Sequence, residues 1–467
     1  LLVWLYAFSG IPDQVNSWDA LYTDFQEKYL GPGGRVPADY NRRFRVNNGV
    51  PWPNSFLRTR PTDAEFQKTL LPSRFKKKTT AASVVVVPEM DVEILVGEFD
   101  AALTTANMSF GSTHAALVRT FVVSMLTKPF VIITGLSGSG KTQVAKKFGE
   151  WLGDSRYLLV PVRPDWGTGD PLFGYENLLD TKADRQWIVS DALQFMLQAS
   201  SDPKNPYLLI LDEMNLAHVE RYFGDFLSGI ESGTDVIPNL VRDNQGLWRA
   251  KPAHKNKIPI PPNLIVVGTV NVDETTYMFS PKVLDRANTL EFRVLTEDLA
   301  PAYAQLIRVV QGRSSALEGI VQVMTDRQWL SKNPGAHSTE VSSCLRTVHK
   351  ILSESSFEFG HRTFIEAIRF GALFEAAGGE WKDAVDAQIY QKILPRLHGS
   401  QRAVGNTLRS LGHYCRQLPT LAEDSISRAA AFNFDEDGAA PELPLSYWKL
   451  RRMYNRLRTN QFTTFIE

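Results

Sequence analysis

The sequence predicts an α/β protein: a parallel sheet flanked by helices, then an all-helical region, with a separate small N-terminal region. Three observations lead there. Short apolar, β-branched runs alternate with helical patterns between residues 130 and 271, and strands that alternate with helices pair in parallel. One of those runs opens directly into a glycine-rich turn and a helix. From Leu299 the strands stop, and helical periodicity dominates through Leu418.

The glycine-rich stretch organises the rest. Phe130, Val131, Ile132, Ile133 and Thr134 read as a buried strand. Gly135, Leu136, Ser137, Gly138, Ser139, Gly140, Lys141 and Thr142 then match G-x-x-x-x-G-K-[ST]. Val144, Ala145, Phe148 and Leu152 follow at helical spacing until Gly153 stops the helix. Strand, turn and helix in this order are the context a phosphate-binding loop needs. The glycines let backbone N–H groups curl around phosphate oxygens, and the helix N-terminus adds partial positive charge. Lys141 is expected to reach the β- and γ-phosphates, and the Thr142 hydroxyl to ligate Mg²⁺.

Composition narrows the class. The 467 residues suffice for about three domains. Hydrophobic content of 43% and charged content of 22% suit a globular chain, and zero net charge points to no nucleic-acid or membrane partner in bulk. Cys344 and Cys415 offer neither a disulfide framework nor metal-ligand spacing, so reduced thiols and a cytoplasmic location are expected. No apolar run approaches the roughly 18 residues of a membrane span, so no membrane partner is expected. Residues 1–8 lack the basic n-region of a secretory signal.

In chain order, residues 1–90 stand apart. Between Arg35 and Lys78, eleven Lys or Arg oppose three acids, with Tyr40, Phe44, Trp52, Phe56, Phe66 and Phe75 interleaved. A small domain with aromatic core residues is the favoured reading, nucleic-acid or partner binding the alternative. Residues 84–87 read as a strand and 92–128 as helical. After a second strand at 157–162, Tyr207, Leu208, Leu209, Ile210 and Leu211 lead into Asp212 and Glu213. An acid at that strand end can hold Mg²⁺, and the next can polarise an attacking water. Their position 71 residues after Lys141, with a strand and a helix between, makes the signal specific.

A third strand at 264–270 ends in Asn271, an amide able to bond a γ-phosphate or lytic water, or simply to cap the strand. Pro281 to Arg286 reads as a short helix. Between Glu231 and Asn263 runs a polar, basic excursion with Arg242, Arg249, Lys251, Lys255 and Lys257, long enough to be functional. A basic helix near the C-terminus has Tyr447, Leu450, Tyr454 and Leu457 on one face, which suits docking better than membrane insertion. The expected division is 1–90, an α/β nucleotide domain at 91–295, a helical lid at 296–425, and a tail with the docking helix at 426–467.

With loop, paired acids, Asn271, Arg286 and a trailing helical region in this order, the chain resembles an AAA+ ATPase. Within that superfamily it is similar to McrB, the motor subunit of modification-dependent restriction systems. Asp212-Glu213-Met214-Asn215-Leu216-Ala217 looks like that family's D-E-I-N-R-A, and Phe223-Gly224-Asp225 like its F-G-E. Val270-Asn271 falls where the family has M-N, and Gly360-His361 lies in a match to G-H-S-x-F. The resemblance implies that Asn271 is the sensor 1 residue and Arg286 an arginine finger, with a surface ion pair to Asp285 or Glu291 as the alternative. It places Arg362 where a sensor 2 arginine sits. The family's M-N-T-A-D-R-S, tied to GTP, is replaced from Val270 to Thr276 by a different run, so ATP is the expected nucleotide and GTP the alternative.

The function implied is a homo-oligomeric ring, six subunits expected, that hydrolyses NTP to translocate or remodel DNA in antiviral defence. No nuclease constellation is legible, so cutting would belong to a separate McrC-like subunit. A MoxR- or midasin-like ATPase that remodels protein complexes is the alternative. A nucleotide-gated scaffold without turnover is a third, opposed by Lys141, Asp212, Glu213, Asn271 and Arg286 together.

Overall fold

The computed structural model describes residues 91–180, 185–250, 257–272, 277, 279–294, 296–298, 305–418, 432–435 and 440–466. The chain divides into two units, Leu1–Glu89 and Met90–Glu467, and every described residue belongs to the second. The basic, aromatic stretch at 35–78 and the run at 84–87 therefore lie outside the described residues.

Helices α1 (Val92–Thr105) and α2 (His114–Thr127) precede β1 (Phe130–Gly135) and α3 (Lys141–Leu152). Next come β2 (Tyr157–Pro161), the short α4 (Asp170–Phe173), the ladder of β3 (Tyr175–Glu176) and β4 (Trp187–Ile188), and α5 (Asp191–Ser201). Strand β5 (Tyr207–Asp212) leads to α6 (Val219–Tyr222) and α7 (Gly224–Ser232). Strands β6 (Ile237–Pro238), β7 (Leu240–Arg242), β8 (Trp248–Ala250) and β9 (Lys257–Ile258) form two small antiparallel ladders before β10 (Leu264–Asn271). Helix α8 (Pro281–Leu284) and β11 (Asn288–Phe292) complete the α/β part.

The sheet order is β11–β1–β10–β5–β2, and every pairing is parallel. Side-chain alternation divides it into two buried faces. Val131, Ile133, Leu208, Ile210, Ile265 and Val267 pack in one core with residues of α1, α2 and α3. Phe130, Ile132, Leu209, Leu211, Val266 and Val270 pack in a second with residues of α5, α6 and α7. Helix α3 buries Val144, Ala145, Phe148 and Leu152, the 3.6-residue stripe expected of it. Phe148 meets Phe99 edge-on at 5.0 Å between ring centres. Each such buried ring contributes about 1.5–3 kcal/mol, so α1 fastens the loop-bearing helix from behind. The arrangement is an α/β core, a five-stranded parallel sheet with helices on both faces.

The helical region comprises α9 (Ser314–Thr325), α10 (Trp329–Lys332), α11 (Ser338–Ser353), α12 (His361–Ala376), α13 (Trp381–Gln388), α14 (Gln401–Gln417) and α15 (Pro444–Asn460). Here one expectation needs correcting. The basic helix at 444–460 does not belong to a separate tail. It buries Tyr447, Leu450, Met453 and Leu457 in the core that also holds Val404, Leu408 and Leu411 of α14. An apolar stripe on a basic helix needs a cover, and α14 supplies it. Asp386 of α13 accepts the backbone N–H groups of Leu445 and Ser446 at 2.7 and 2.8 Å, satisfying the helix start. Burial nonetheless pushes the Asp386 carboxyl up to about 6. Lys449 is buried and donates to Glu291 of β11 at 3.2 Å, with Arg452 at 3.0 Å from the same carboxylate. No helix among the described residues is long and apolar enough to cross a membrane.

Candidate nucleotide site

Parallel pairing brings the expected residues to one edge of the sheet. Gly135 at the end of β1 pairs with Asn271 at the end of β10, and Gly268 pairs with Leu211. Asp212 therefore ends β5 beside Thr269, within two residues of Asn271. Strand C-termini at such an edge form the usual ligand crevice of open α/β sheets.

The loop has the backbone of an anion cradle. Gly135, Gly138 and Gly140 all take positive φ, and Gly140 leads directly into α3. At Gly135 a Cβ would lie 2.3 Å from the Phe292 carbonyl oxygen, so no other residue fits against β11. Lys141 is 5% exposed and donates from Nζ to the carbonyls of Gly135 and Leu136 at 2.9 and 2.6 Å. Burial lowers its pKa, opposed by the charges of Asp212 and Glu213. Ser137 and Gly138 are exposed at the loop crest. The Ser139 hydroxyl, in contrast, is buried with no hydrogen-bond partner among the described residues. Unspent capacity on a buried hydroxyl inside such a cradle fits an incoming phosphate oxygen.

The Thr142 hydroxyl donates to Asp212 Oδ1 at 2.7 Å. Its lone pairs stay available, so hydroxyl and carboxylate together fit a hard divalent cation such as Mg²⁺. Glu213 is exposed, takes φ 54°, and accepts from Asn271 Nδ2 at 2.9 Å. Asn271 thus reaches the expected acid, and Asn215 Nδ2 donates to the Asn271 carbonyl at 3.1 Å.

One residue missing from the sequence reading belongs here. Thr269 donates to Asp212 Oδ1 at 2.6 Å and accepts from the Glu213 backbone N–H at 3.0 Å. Thr269 is an ordinary polar residue, and only the strand register, invisible in one sequence, brings it beside the acids.

Arg286 and Arg362 stand elsewhere. Val131, near the start of β1, pairs with Asn288, so Arg286 lies beyond the edge opposite the loop. At roughly 3.3 Å per strand residue, that is about 15 Å from its own phosphate site. Arg286 pairs with Glu231 of α7 and donates to the Lys282 carbonyl at 2.5 Å. Neither Asp285 nor Glu291, the partners weighed from sequence, holds it: Asp285 pairs with Arg396. Burial lowers the Arg286 pKa, and Arg362 adds to the shift. Arg362 shares Glu231 at 3.1 Å and lies 3.9 Å from Glu366. Glu366 in turn binds Lys128, two residues before β1, at 2.6 Å. Arg362, given the sensor 2 position by the resemblance, thus stands where α12 reaches the sheet at its N-terminal edge.

The excursion before β10 is more ordered than its composition suggests. Arg249 of β8 is buried and pairs with Asp180 at 3.1 Å and Asp243 at 2.6 Å. Arg242 lies over the Trp248 ring at 4.7 Å. Two of the five basic groups are thus engaged internally, joining this excursion to the β3–β4 ladder. Lys257 is exposed, and Lys251 and Lys255 lie outside the described residues.

A domain of unknown function, DUF8727, matches residues 317–462, the helical region from α9 through α15. No curated protein matches the sequence. Among solved structures, one described as a "putative ATPase" from Cytophaga hutchinsonii is similar at a TM-score of 0.41 and 11% identity, over 65% of this chain and 89% of that one. So distant a likeness carries no weight in the reading of the site.

Proposed function

We propose that this chain is an NTP-hydrolysing motor of the AAA+ type, ATP being the expected nucleotide. The observation that carries it is the convergence of Lys141, Thr142, Asp212, Glu213 and Asn271 around a positive-φ glycine loop with a buried hydroxyl unpartnered among the described residues. Ser137, Gly138, Ser139 and Gly140 would line the phosphates, and Thr142 and Asp212 would hold Mg²⁺. When bound, Mg²⁺ neutralises charge on the β- and γ-phosphate oxygens. Lys141 adds a cation at the same oxygens. Glu213 would orient and polarise the attacking water, and Asn271 holds that carboxylate in place.

Arg286 and Arg362 cannot serve the loop of their own chain from the opposite edge. Their common position suits a neighbour's phosphates in a ring, hexameric by resemblance, where Arg286 would be the finger. The finer reading is a McrB-like motor that translocates or remodels DNA for a separate McrC-like nuclease. It rests on the motif matches at Asp212–Ala217 and Phe223–Asp225 and on the exposed Lys257 of the excursion.

The test is a hydrolysis assay with ATP and GTP, with and without modified and unmodified DNA, on wild type, Lys141→Ala and Glu213→Gln. Lys141→Ala is expected to lose nucleotide binding, whereas Glu213→Gln should bind normally and turn over roughly 10²–10⁴-fold more slowly. Stimulation by DNA supports the defence-motor reading. Stimulation only by candidate protein substrates transfers it to the protein-remodelling alternative, and no turnover with any NTP leaves the scaffold.

A further inference from the structure

Thr269 lies between the two acids. On β10 it follows Gly268, whose partner is Leu211, so the strand register sets it directly beside Asp212. Its side chain is 2% exposed. A hydroxyl has one proton and two lone pairs, and both functions are committed. The proton goes to Asp212 Oδ1 at 2.6 Å, and a lone pair takes the Glu213 N–H at 3.0 Å. Thr142 donates to that same Asp212 oxygen at 2.7 Å. Two hydroxyls thus converge on one carboxylate oxygen, one from the phosphate loop and one from the neighbouring strand.

The second bond matters as much. Glu213 takes φ 54°, a left-handed conformation that side-chain-bearing residues seldom adopt. Something must keep that peptide from rotating away, and its N–H is anchored by Thr269. The same bond aims the Glu213 side chain, whose Oε1 accepts from Asn271 at 2.9 Å.

We propose that Thr269 is a positioning residue for NTP hydrolysis, using one hydroxyl to orient the Asp212 carboxylate for Mg²⁺ and to hold the Glu213 backbone in the conformation that aims its carboxylate at water. This rests on the nucleotide reading above. Thr269→Val keeps the shape and β-branching of the side chain. It removes one of the two hydroxyl donors to Asp212 and leaves the Glu213 N–H without its partner. Thr269→Ser keeps the hydroxyl and removes the methyl group.

The experiment compares wild type, Thr269→Val, Thr269→Ser and Lys141→Ala as full chains. A fluorescent, non-hydrolysable ATP analogue is titrated with and without Mg²⁺, and steady-state hydrolysis is followed across Mg²⁺ concentrations. Outer-shell partners of metal ligands are typically worth about 10–100-fold in metal affinity or activity. Thr269→Val should therefore bind the Mg²⁺-free analogue like wild type. It should need about 10-fold more Mg²⁺ for its full effect and lose about 10–100-fold in kcat, with KM nearly unchanged at saturating Mg²⁺. Thr269→Ser should restore both.

Wild-type Mg²⁺ response and kcat in Thr269→Val overturn the proposal. So does a Thr269→Ser as impaired as Thr269→Val, which would make the methyl packing the active feature. Loss of Mg²⁺-free binding in Thr269→Val marks a residue of the fold and overturns it too. If Lys141→Ala binds and hydrolyses like wild type, the nucleotide reading itself falls, and this inference with it.

Discussion

The two edges of the sheet are built on opposite plans. At the C-terminal edge, Thr142, Asp212, Thr269, Glu213 and Asn271 form a chain of hydrogen bonds, beside a glycine cradle that holds Lys141 and a Ser139 hydroxyl without a partner among the described residues. At the N-terminal edge, charges close on one another. Lys128 and Lys392 share Glu366 at 2.6 and 3.1 Å, Arg286 and Arg362 share Glu231, and Arg396 holds Asp285 at 2.9 Å. One edge keeps binding capacity for a ligand, whereas the other spends its charges within the subunit. A motif arginine at the second edge must therefore leave an acid before it can act on anything else.

The sharpest way to break this contrast is to ask whether the second edge acts at all. Lys141→Ala and Arg286→Ala chains should each be inactive alone, Arg286→Ala by roughly 10³–10⁵-fold if it works as an arginine finger. Mixed together they should recover part of the hydrolysis, because an intact loop can then meet an intact finger. Hydrolysis at the wild-type rate by Arg286→Ala would reduce that edge to scaffolding. So would mixtures that stay inactive.

A smaller effect separates stability from binding. Glu366 is the acid between two buried lysines, and burial opposes its charge while Lys392 and Lys128 hold its pKa below the usual carboxylate range. Glu366→Gln leaves both ammonium groups without their counterion, which for broken buried pairs costs about 3–5 kcal/mol. Urea unfolding should show that loss. Affinity for Mg²⁺-nucleotide, set at the other edge, should stay where it was. A variant as stable as wild type would mean that water reaches this cluster freely.

The smallest effect is a pH dependence. Burial, with help from Lys392, pushes the Lys128 pKa down to about 7 from its ordinary 10.5. Between those values the unfolded chain binds a proton at Lys128 that the folded chain does not, so stability should rise with pH above about 7. The slope is bounded by about 1.4 kcal/mol per pH unit. Comparing wild type with Lys128→Met at pH 7 and pH 8 isolates it: the gain should be present in the first and absent in the second. Parallel curves would mean that Glu366 keeps Lys128 charged throughout.

What could be read from residues alone follows the same division. The strand–loop–helix unit is local, and its glycines, Lys141 and Thr142 carry their meaning in eight consecutive positions. Asp212 and Asn271 end apolar strands, so the parallel sheet itself carries them to the loop. Thr269 was not legible, because its value lies in a register between strands. Arg362 illustrates the opposite case. Its motif neighbourhood is recognisable, but its location depends on how the helical region docks, and Lys128 and Glu366 fix that docking at the other edge. The basic helix misled for a related reason: its charge pattern describes a solvated face, yet Lys449 turns inward to Glu291.

That inward lysine ties α15 to β11, the strand beside the phosphate loop. Glu291 precedes Phe292, whose carbonyl abuts Gly135 so closely that a single added carbon would collide with it. The cations on Glu291 come from Lys449 and Arg452, and the Lys449 contact spans 158 positions of sequence. The wall of the phosphate loop is thus seated from the far end of the helical region. A chain cut before Pro444 would keep the whole loop motif and strip the carboxylate next to its wall of both cations.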